Sequence, residues 1–249
     1  MPKRNSLNKE EIFFSFSLIL ILLLVFSGFF QKNFNIFGIF LSQFFLILLP
    51  TLFLIFFFNL NFNILKLKKT NFRFYTGAIS LWLLCFIGVL LYSIIQIFLF
   101  PSSLSSLEGL STLLSKAKTY EIVLYLSLAP AICEEIFFRG FIYGNLEKIT
   151  TNKNAIIISS LLFGIFHIYP AKIITTALLG ISFSYIVYLS KSIYPAILMH
   201  FINNLFTIYL SKRQDLFIKP YFSWIFILMV LIAIKFYNNM KIYEKKGNK

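Results

Sequence analysis

Acidic residues, histidine and cysteine are all scarce in this chain. Asp and Glu number 9 among 249 residues, and histidine and cysteine occur twice each. Cys85 and Cys133 both lie inside apolar runs, which excludes a disulfide framework and a cysteine-based zinc site, so we expect both to be packing residues. Hydrophobic residues make up 59% and charged residues 13% of the chain, and the mean hydropathy is +0.83. A soluble domain of this size cannot bury so much apolar surface, so the predicted solvent is lipid.

Basic residues outnumber acidic ones and give a formal net charge of +14. They lie in short flanks between apolar runs, and no folded soluble region exists to present them to nucleic acid. Anchoring to anionic lipid explains them better. No repeat, P-loop or Gly-rich nucleotide motif is present. We therefore predict the lipid bilayer, and no nucleic acid, as a partner.

Long apolar runs dominate the rest of the sequence. Runs of roughly 17 to 25 such residues are typical of membrane-spanning helices. The sequence therefore predicts an all-α fold, a polytopic membrane helical bundle of about eight transmembrane helices that forms one integral membrane domain over residues 1–249. The predicted spans are about 12–30, 36–58, 75–100, 121–144, 154–169, 173–190, 193–210 and 220–239.

Basic residues also predict the orientation, because Lys and Arg are retained on the cytoplasmic side. With the N-terminus inside, fifteen of the 23 basic residues fall in inner segments and seven in outer segments. The first run lacks an A-x-A cleavage site and is interpreted as an uncleaved span. The polar stretch 101–120 is a loop or an interfacial helix. We predict a multi-pass protein of the cell membrane with both termini cytoplasmic, and the bias toward Lys, Asn, Ile and Phe predicts a bacterial source.

A few ionisable residues lie within the predicted spans. A charged side chain at mid-membrane costs roughly 2.5 to 3.5 kcal/mol on insertion scales, so each one needs a partner or a purpose. Three of them lie in the segment LAPAICEEIFFRGFIYG, namely Glu134, Glu135 and Arg139. Both histidines of the chain, His167 and His200, also lie within predicted spans. These five residues mark a candidate functional site.

Helical spacing predicts how these groups divide their roles. Glu135 and Arg139 are four residues apart and share a helix face, so they are expected to form an ion pair. Glu134 is turned about 100° away and is left as the reactive carboxylate. His200 and Asn204 also share a face. Imidazoles, carboxylates and an amide at a common depth can activate water and hold an oxyanion, although a structural ion pair and interhelical hydrogen bonds are the alternative reading.

Three motifs then resemble one family. Glu134-Glu135-x-x-x-Arg139, Phe163-x-x-x-His167 and His200-x-x-x-Asn204 resemble, in order and with similar separations, the motifs of the CAAX prenyl protease and bacteriocin-processing (CPBP, or Abi) family. The match covers roughly residues 121–210. Phe163 is a family marker whose own role is packing, and nearby glycines, namely Gly140, Gly144, Gly164 and Gly180, are expected to permit close helix approach.

The resemblance implies an intramembrane endopeptidase whose catalytic helix core spans 121–210. In it Glu134 and His167 activate a water, His200 and Asn204 stabilise the oxyanion, and Glu135 and Arg139 support them. A competing view of the family makes the site a zinc centre, in which Glu134, His167 and His200 would hold the metal. Both views use the same residues, so the implied cofactor is either none or Zn²⁺.

Two other functions are weighed against the peptidase. A non-catalytic bacteriocin-immunity or scaffold protein would keep the fold without the reaction, yet this sequence retains the whole glutamate and histidine set. An ionisable cluster in the membrane also suits a transporter, but no inverted repeat is evident. The predicted substrates are membrane-embedded or membrane-tethered peptides. Prenylated proteins are not assumed, because they are not expected in a bacterium.

Overall fold

The computed structural model describes residues 2–99 and 117–212, with six further positions between 227 and 238. The named elements of the described residues are all helical, which confirms the predicted all-α class. The only β-type pairing among them is an isolated bridge between Arg4 and Leu60. Most of the predicted span 220–239 and most of the polar stretch 101–120 lie outside the described residues.

Nine α-helices follow one another along the described chain. They are α1 (Lys9–Ser42), α2 (Leu49–Phe57), α3 (Phe72–Leu99), α4 (Thr119–Glu121), α5 (Ala129–Glu135), α6 (Tyr143–Ile149), α7 (Asn152–Phe166), α8 (Pro170–Ser190) and α9 (Tyr194–Lys212). Three π-helical segments, Gln43–Leu48, Ile122–Leu128 and Ile136–Ile142, and a 3₁₀ turn, Phe62–Leu65, complete the set. We call the continuous helical run from Thr119 to Ile149 the motif helix, because it carries the first motif.

The first helical run doubles back on itself. Lys9–Phe57 is 49 residues long and would reach about 74 Å if it were straight. Its two ends nevertheless meet, because the Arg4 amide donates to the Asn59 carbonyl at 2.8 Å and the Asn61 amide donates to the Arg4 carbonyl at 3.0 Å. Non-helical dihedrals at Asn35 (φ 51°, ψ −129°) make the bend. The run therefore forms two limbs, in the places where the spans 12–30 and 36–58 are predicted.

Three helices of the described residues are long and apolar enough to cross a membrane. They are Lys9–Phe57, Phe72–Ser93 and Lys172–Ser190, and Asn152–Phe166 is a shorter apolar helix. Large apolar side chains cover the outside of the bundle, with Phe56 and Phe98 each 84% exposed. Such a surface is stable only against lipid, so the molecule is a membrane protein. Eight spans stay a prediction.

The π-helical segments are not predicted by the apolar pattern. Two of the three come just before a proline, since Gln43–Leu48 precedes Pro50 and Ile122–Leu128 precedes Pro130. Proline donates no backbone hydrogen bond, and its ring clashes with the carbonyl four residues earlier. A wider helical turn before the proline relieves that clash without breaking the helix.

Glycines allow the tightest helix contacts, as the sequence predicts. A Cβ on Gly164 would lie 2.6 Å from the Ile173 carbonyl oxygen, so α7 and α8 approach backbone to backbone at that point. A Cβ on Gly144 would lie 2.5 Å from the Ile64 carbonyl oxygen. The 3₁₀ turn is thereby seated directly on the motif helix. The Gly164 contact holds α7 and α8 together, and the Gly144 contact fixes the turn on the motif helix.

Candidate active site

The two adjacent glutamates lie at the end of α5, where the motif helix passes into its second π-helical segment. Glu135 is fully buried and forms the predicted ion pair, with Arg139 Nη1 donating to Glu135 Oε1 at 3.0 Å. The four-residue spacing on one helix accounts for this contact. A charge at this depth is tolerated because its opposite charge is bound beside it.

Arg139 is itself fully buried, with 0% of its surface exposed. Its Nη2 donates to the Gly180 carbonyl at 3.3 Å, which ties the motif helix to α8. The guanidinium carbon lies 4.3 Å from the ring centre of Phe163 and 5.1 Å from that of Phe183. Stacking of this kind stabilises a desolvated cation. Phe163 therefore packs, as predicted, but its position against a buried guanidinium and both histidines is more specific than general core packing.

His200, on α9, lies between the two glutamates. Its Nδ1 donates to Glu135 Oε1 at 2.8 Å, and its Nε2 lies 3.9 Å from Glu134 Oε2. The imidazole also stacks on Phe183, with ring centres 5.2 Å apart. Because a carboxylate accepts the bond at Nδ1, Nε2 is the nitrogen that faces the Glu134 side of the site. His200 is buried, so its ring is fixed in that direction.

Glu134 is held differently from its neighbour. Its Oε1 accepts a hydrogen bond from Gln43 Nε2 at 3.0 Å, and its buried Oε2, like that of Glu135, has no hydrogen-bond partner among the described residues. Glu135 binds a cation and an imidazole, while Glu134 binds only a neutral amide. Glu134 is therefore the carboxylate with fewer hydrogen-bond donors, and the helical spacing predicts that it is not the one paired with Arg139.

His167 does not lie within a helix, and the predicted span 154–169 is too long at its end. Helix α7 ends at Phe166 and His167 is its C-cap, followed by Ile168 in the left-handed region (φ 62°). The physical reason is Pro170, which begins α8 and disfavours helical backbone in the residue before it. His167 thus lies at a turn between α7 and α8.

The ring of His167 is oriented by its own helix. Its Nδ1 lies 2.9 Å from the Phe163 carbonyl oxygen, and its ring meets the Phe163 ring edge to face with centres 4.8 Å apart. A carbonyl only accepts hydrogen bonds, so Nδ1 carries the proton and Nε2 of the neutral ring offers its lone pair. The Phe163 ring also meets the His200 ring, with centres 5.8 Å apart, and lies 4.3 Å from the Arg139 guanidinium carbon. The structure therefore brings the second and third motifs to the first.

Asn204 lies one helical turn beyond His200. Its Nδ2 donates a long hydrogen bond of 3.5 Å to the Ser127 carbonyl, in the first π-helical segment of the motif helix. Its neighbour Asn203 accepts a 3.2 Å hydrogen bond from the Trp82 indole on α3. Asn203 is thus a structural link between α9 and α3, and the Asn204 amide lies toward the motif helix.

Several contributors are missed by sequence reasoning. Gln43, Gly180 and Phe183 come from elements outside the motifs, and each touches a motif side chain. Gln43 gives the one usable signal, because it is a polar residue inside the apolar run LSQFFLILLP. The other two carry none, since a backbone carbonyl and a phenylalanine are indistinguishable from the packing around them.

The zinc arrangement can be tested against the same atoms. Nε2 of either histidine and Oε2 of Glu134 are donor types that Zn²⁺ accepts. Within the described part of the chain, however, no three His, Cys, Asp or Glu side chains are grouped closely enough to hold a metal ion.

The fold and the site together define a class, a helical membrane protein with a buried cluster of carboxylates, imidazoles and a guanidinium. The family model described as "Type II CAAX prenyl endopeptidase Rce1-like" matches residues 116–206. The match spans less than half of the chain but includes all six predicted site residues. The match supports a place in the CAAX prenyl protease family for this chain and indicates a protease. No curated protein and no solved structure gives a significant match.

Proposed function

We propose that the protein is an intramembrane endopeptidase acting on membrane-embedded or membrane-tethered peptides. The observation that supports this most is the unequal use of the two adjacent glutamates. Glu135 Oε1 accepts hydrogen bonds from Arg139 and His200, whereas Glu134 accepts one from the neutral Gln43 amide. Oε2 of each glutamate is buried without a hydrogen bond among the described residues, and that of Glu134 lies 3.9 Å from His200 Nε2. A carboxylate that is buried, positioned and not hydrogen-bonded to a cation suits a general base.

In the proposed reaction, Glu134 and His167 activate the nucleophile. A water held between Glu134 Oε2 and the lone pair of His167 Nε2 attacks the peptide carbonyl carbon, and Glu134 takes up its proton. The C–N bond then breaks as that proton passes to the leaving nitrogen, which gives one carboxylate product and one amine product. Holding water and carboxylate in this geometry supplies much of the rate.

The negative charge on the carbonyl oxygen of the intermediate needs donors. Asn204 Nδ2 and, in the doubly protonated ring, His200 Nε2 are proposed to donate to it. Donors fixed before the reaction stabilise an oxyanion most in a water-excluded site. Glu135 and Arg139 act through His200, since Glu135 orients the imidazole and Arg139 holds Glu135 in place. They are positioning residues.

Cleavage of a membrane-peptide library by the purified protein tests this function. Wild type is expected to cleave, while Glu134→Gln and His167→Ala, each still folded, are expected to be inactive. Chelator in parallel reactions distinguishes the two mechanisms, because the glutamate mechanism survives it and a zinc site does not. No cleavage by folded wild type, combined with protection of cells against a toxic peptide, would replace this proposal with the non-catalytic immunity function.

The proposed placement is in the bacterial cell membrane with both termini cytoplasmic. It is supported by the excess of basic residues in the inner segments and by the apolar exterior of the helices. Single cysteines introduced at Lys3 and at Lys153, in a variant lacking Cys85 and Cys133, should react with a membrane-impermeant thiol reagent only after the cells are opened. Labelling of either position in intact cells would reverse the orientation.

A further inference from the structure

A second site lies away from the glutamates, at the far end of the motif helix. It is a cavity of about 790 Å³ whose charged lining comes from three separate parts of the chain. Four lysines line it, accompanied by a single glutamate, and the charged residues are Lys66, Lys68, Lys148, Lys191 and Glu147. Glu147 is thirteen residues beyond Glu134, which places the cavity about 20 Å along the helix from the candidate active site. We call it the basic pocket.

Backbone contacts fix the position of the segments that line the pocket. Gly144 receives the carbonyl of Ile64 so closely that no Cβ would fit, which fixes the 62–65 turn on the motif helix. The Ser192 hydroxyl donates to the Lys68 carbonyl at 2.6 Å, and the Ile193 amide donates to the Lys66 carbonyl at 3.3 Å. These bonds tie the loop that carries two of the lysines to the junction of α8 and α9.

Two of the lysines are held at a backbone cost. Lys66 has φ 52° and Lys191 has φ 54°, both in the left-handed region that glycine and asparagine adopt more easily. Strain of this kind collects at functional positions. Lys191 places its ammonium over the Tyr188 ring, 4.4 Å from the centre, and Lys66 pairs with Glu147. One carboxylate against four ammonium groups leaves the pocket strongly positive.

The rim of the pocket is apolar and exposed. Phe62 is 51% exposed and Leu67 is 43% exposed, and both line the cavity beside the lysines. Cationic side chains beside exposed apolar ones at the end of a membrane helix fit an anion attached to acyl chains. All four lysines also fall in segments predicted to be cytoplasmic, where basic pockets bind anionic headgroups.

We propose that the basic pocket binds a phosphate-bearing anion, with the headgroup of an anionic phospholipid as the source that the apolar rim favours. The four ammonium groups compensate the phosphate charge, and Phe62 and Leu67 contact the glycerol and acyl region. The site does not depend on the proposed peptidase reaction. It would anchor the motif helix at the membrane surface.

The test uses the full-length protein in nanodiscs of phosphatidylcholine with or without phosphatidylglycerol, and native mass spectrometry counts the retained phosphatidylglycerol. Wild type and Lys69→Gln should retain it, since Lys69 is exposed next to Lys68 but does not line the pocket. Lys68→Gln and Lys148→Gln should each weaken retention roughly fivefold. Glu147→Gln should strengthen it.

A second arm distinguishes a soluble anion from a lipid. Inorganic phosphate and glycerol 3-phosphate are titrated into the protein in neutral detergent, and the midpoint of thermal unfolding is followed. A phosphate-dependent rise that Lys68→Gln abolishes and Lys69→Gln preserves assigns the pocket to a soluble phosphate. Retention of phosphatidylglycerol without that rise assigns it to the lipid headgroup.

Lys191→Gly separates binding from folding. Glycine suits the left-handed backbone, so this variant should unfold at or above the wild-type temperature while binding the anion more weakly. The proposal is overturned if neither anion distinguishes Lys68→Gln and Lys148→Gln from Lys69→Gln. Equal binding by wild type and Lys191→Gly would likewise remove Lys191 from the site.

Discussion

His200 and Glu135 make the shortest contact between different helices in the candidate active site, with Nδ1 2.8 Å from Oε1. The same carboxylate oxygen accepts the hydrogen bond from Arg139 Nη1 at 3.0 Å. Glu135 therefore joins a guanidinium of its own helix to an imidazole 65 positions later. This arrangement fixes the ring of His200 and leaves its Nε2 directed toward Glu134.

Adjacent glutamates with different partners should respond differently to the same substitution. Glu135→Gln leaves Arg139 as an uncompensated buried charge and should reduce the free energy of unfolding by about 3–5 kcal/mol. Glu134→Gln keeps an oxygen to accept from Gln43 and should cost about 1 kcal/mol or less. Thermal unfolding in detergent measures both.

The same two variants should differ in the opposite order in cleavage activity, with Glu134→Gln the more impaired. Glu134→Gln should be folded and inactive, whereas any Glu135→Gln that folds should keep residual activity, because its role is to orient His200. A Glu134→Gln variant that cleaves at the wild-type rate would refute the assignment of Glu134 as the base.

Gln43 is predicted to be a positioning residue for Glu134. Gln43→Leu removes the 3.0 Å hydrogen bond to Oε1, and bonds to charged groups contribute about 1.5–3 kcal/mol. We expect cleavage to fall by roughly tenfold to a hundredfold, which follows from that energy. The unfolding midpoint should fall too, because the bond is present in the folded protein, so cleavage is compared at a temperature where both proteins are fully folded. Gln31→Leu, at an exposed position of α1, is the matched control and should have no effect.

The sequence predicts contacts along one helix far better than contacts between helices. The Glu135–Arg139 pair follows from four-residue spacing, and it is present. The bonds from Gln43 to Glu134 and from His200 to Glu135 join positions 91 and 65 residues apart. The residue pattern within one helix does not indicate which other helices pack against it, so neither bond could be predicted. The same limit explains why Phe183, a packing residue by pattern, was not assigned to the site.

Helix ends and π-helical turns were partly predictable. Pro170 indicates that α7 must end before it, yet the apolar pattern continues to Tyr169 and led to the predicted span 154–169. Pro50 and Pro130 similarly mark the turns before them, although a proline alone does not tell a π-helical segment from a kink. The segment Ile136–Ile142 has no such signal.

Gly144 should not tolerate a methyl group. In Gly144→Ala the new Cβ would lie 2.5 Å from the Ile64 carbonyl oxygen, a backbone atom that cannot move without displacing the 62–65 turn. We expect a loss of about 1–3 kcal/mol in the free energy of unfolding. Gly88→Ala is the control, because a Cβ there has no heavy atom within 4 Å. That change should leave stability unchanged or raise it by up to about 1 kcal/mol.

Asn203 and Asn204 are adjacent on α9, and substituting each should affect a different property. Asn203→Ala should lower stability, whereas Asn204→Ala should lower the rate of cleavage. Asn204→Ala removes the proposed oxyanion donor and should lower kcat by roughly 100- to 1,000-fold with little change in KM. Among the described residues its side chain makes one long hydrogen bond, to the Ser127 carbonyl, so stability should fall only slightly. Asn203→Ala removes the acceptor of the Trp82 indole and should cost about 1 kcal/mol of stability while cleavage persists.

The reverse pattern, with Asn203→Ala inactive and Asn204→Ala active, would move the oxyanion donor to Asn203. A rise in KM with kcat unchanged in Asn204→Ala would instead make this amide a substrate-binding group, since a donor that acts on the oxyanion contributes mainly in the transition state.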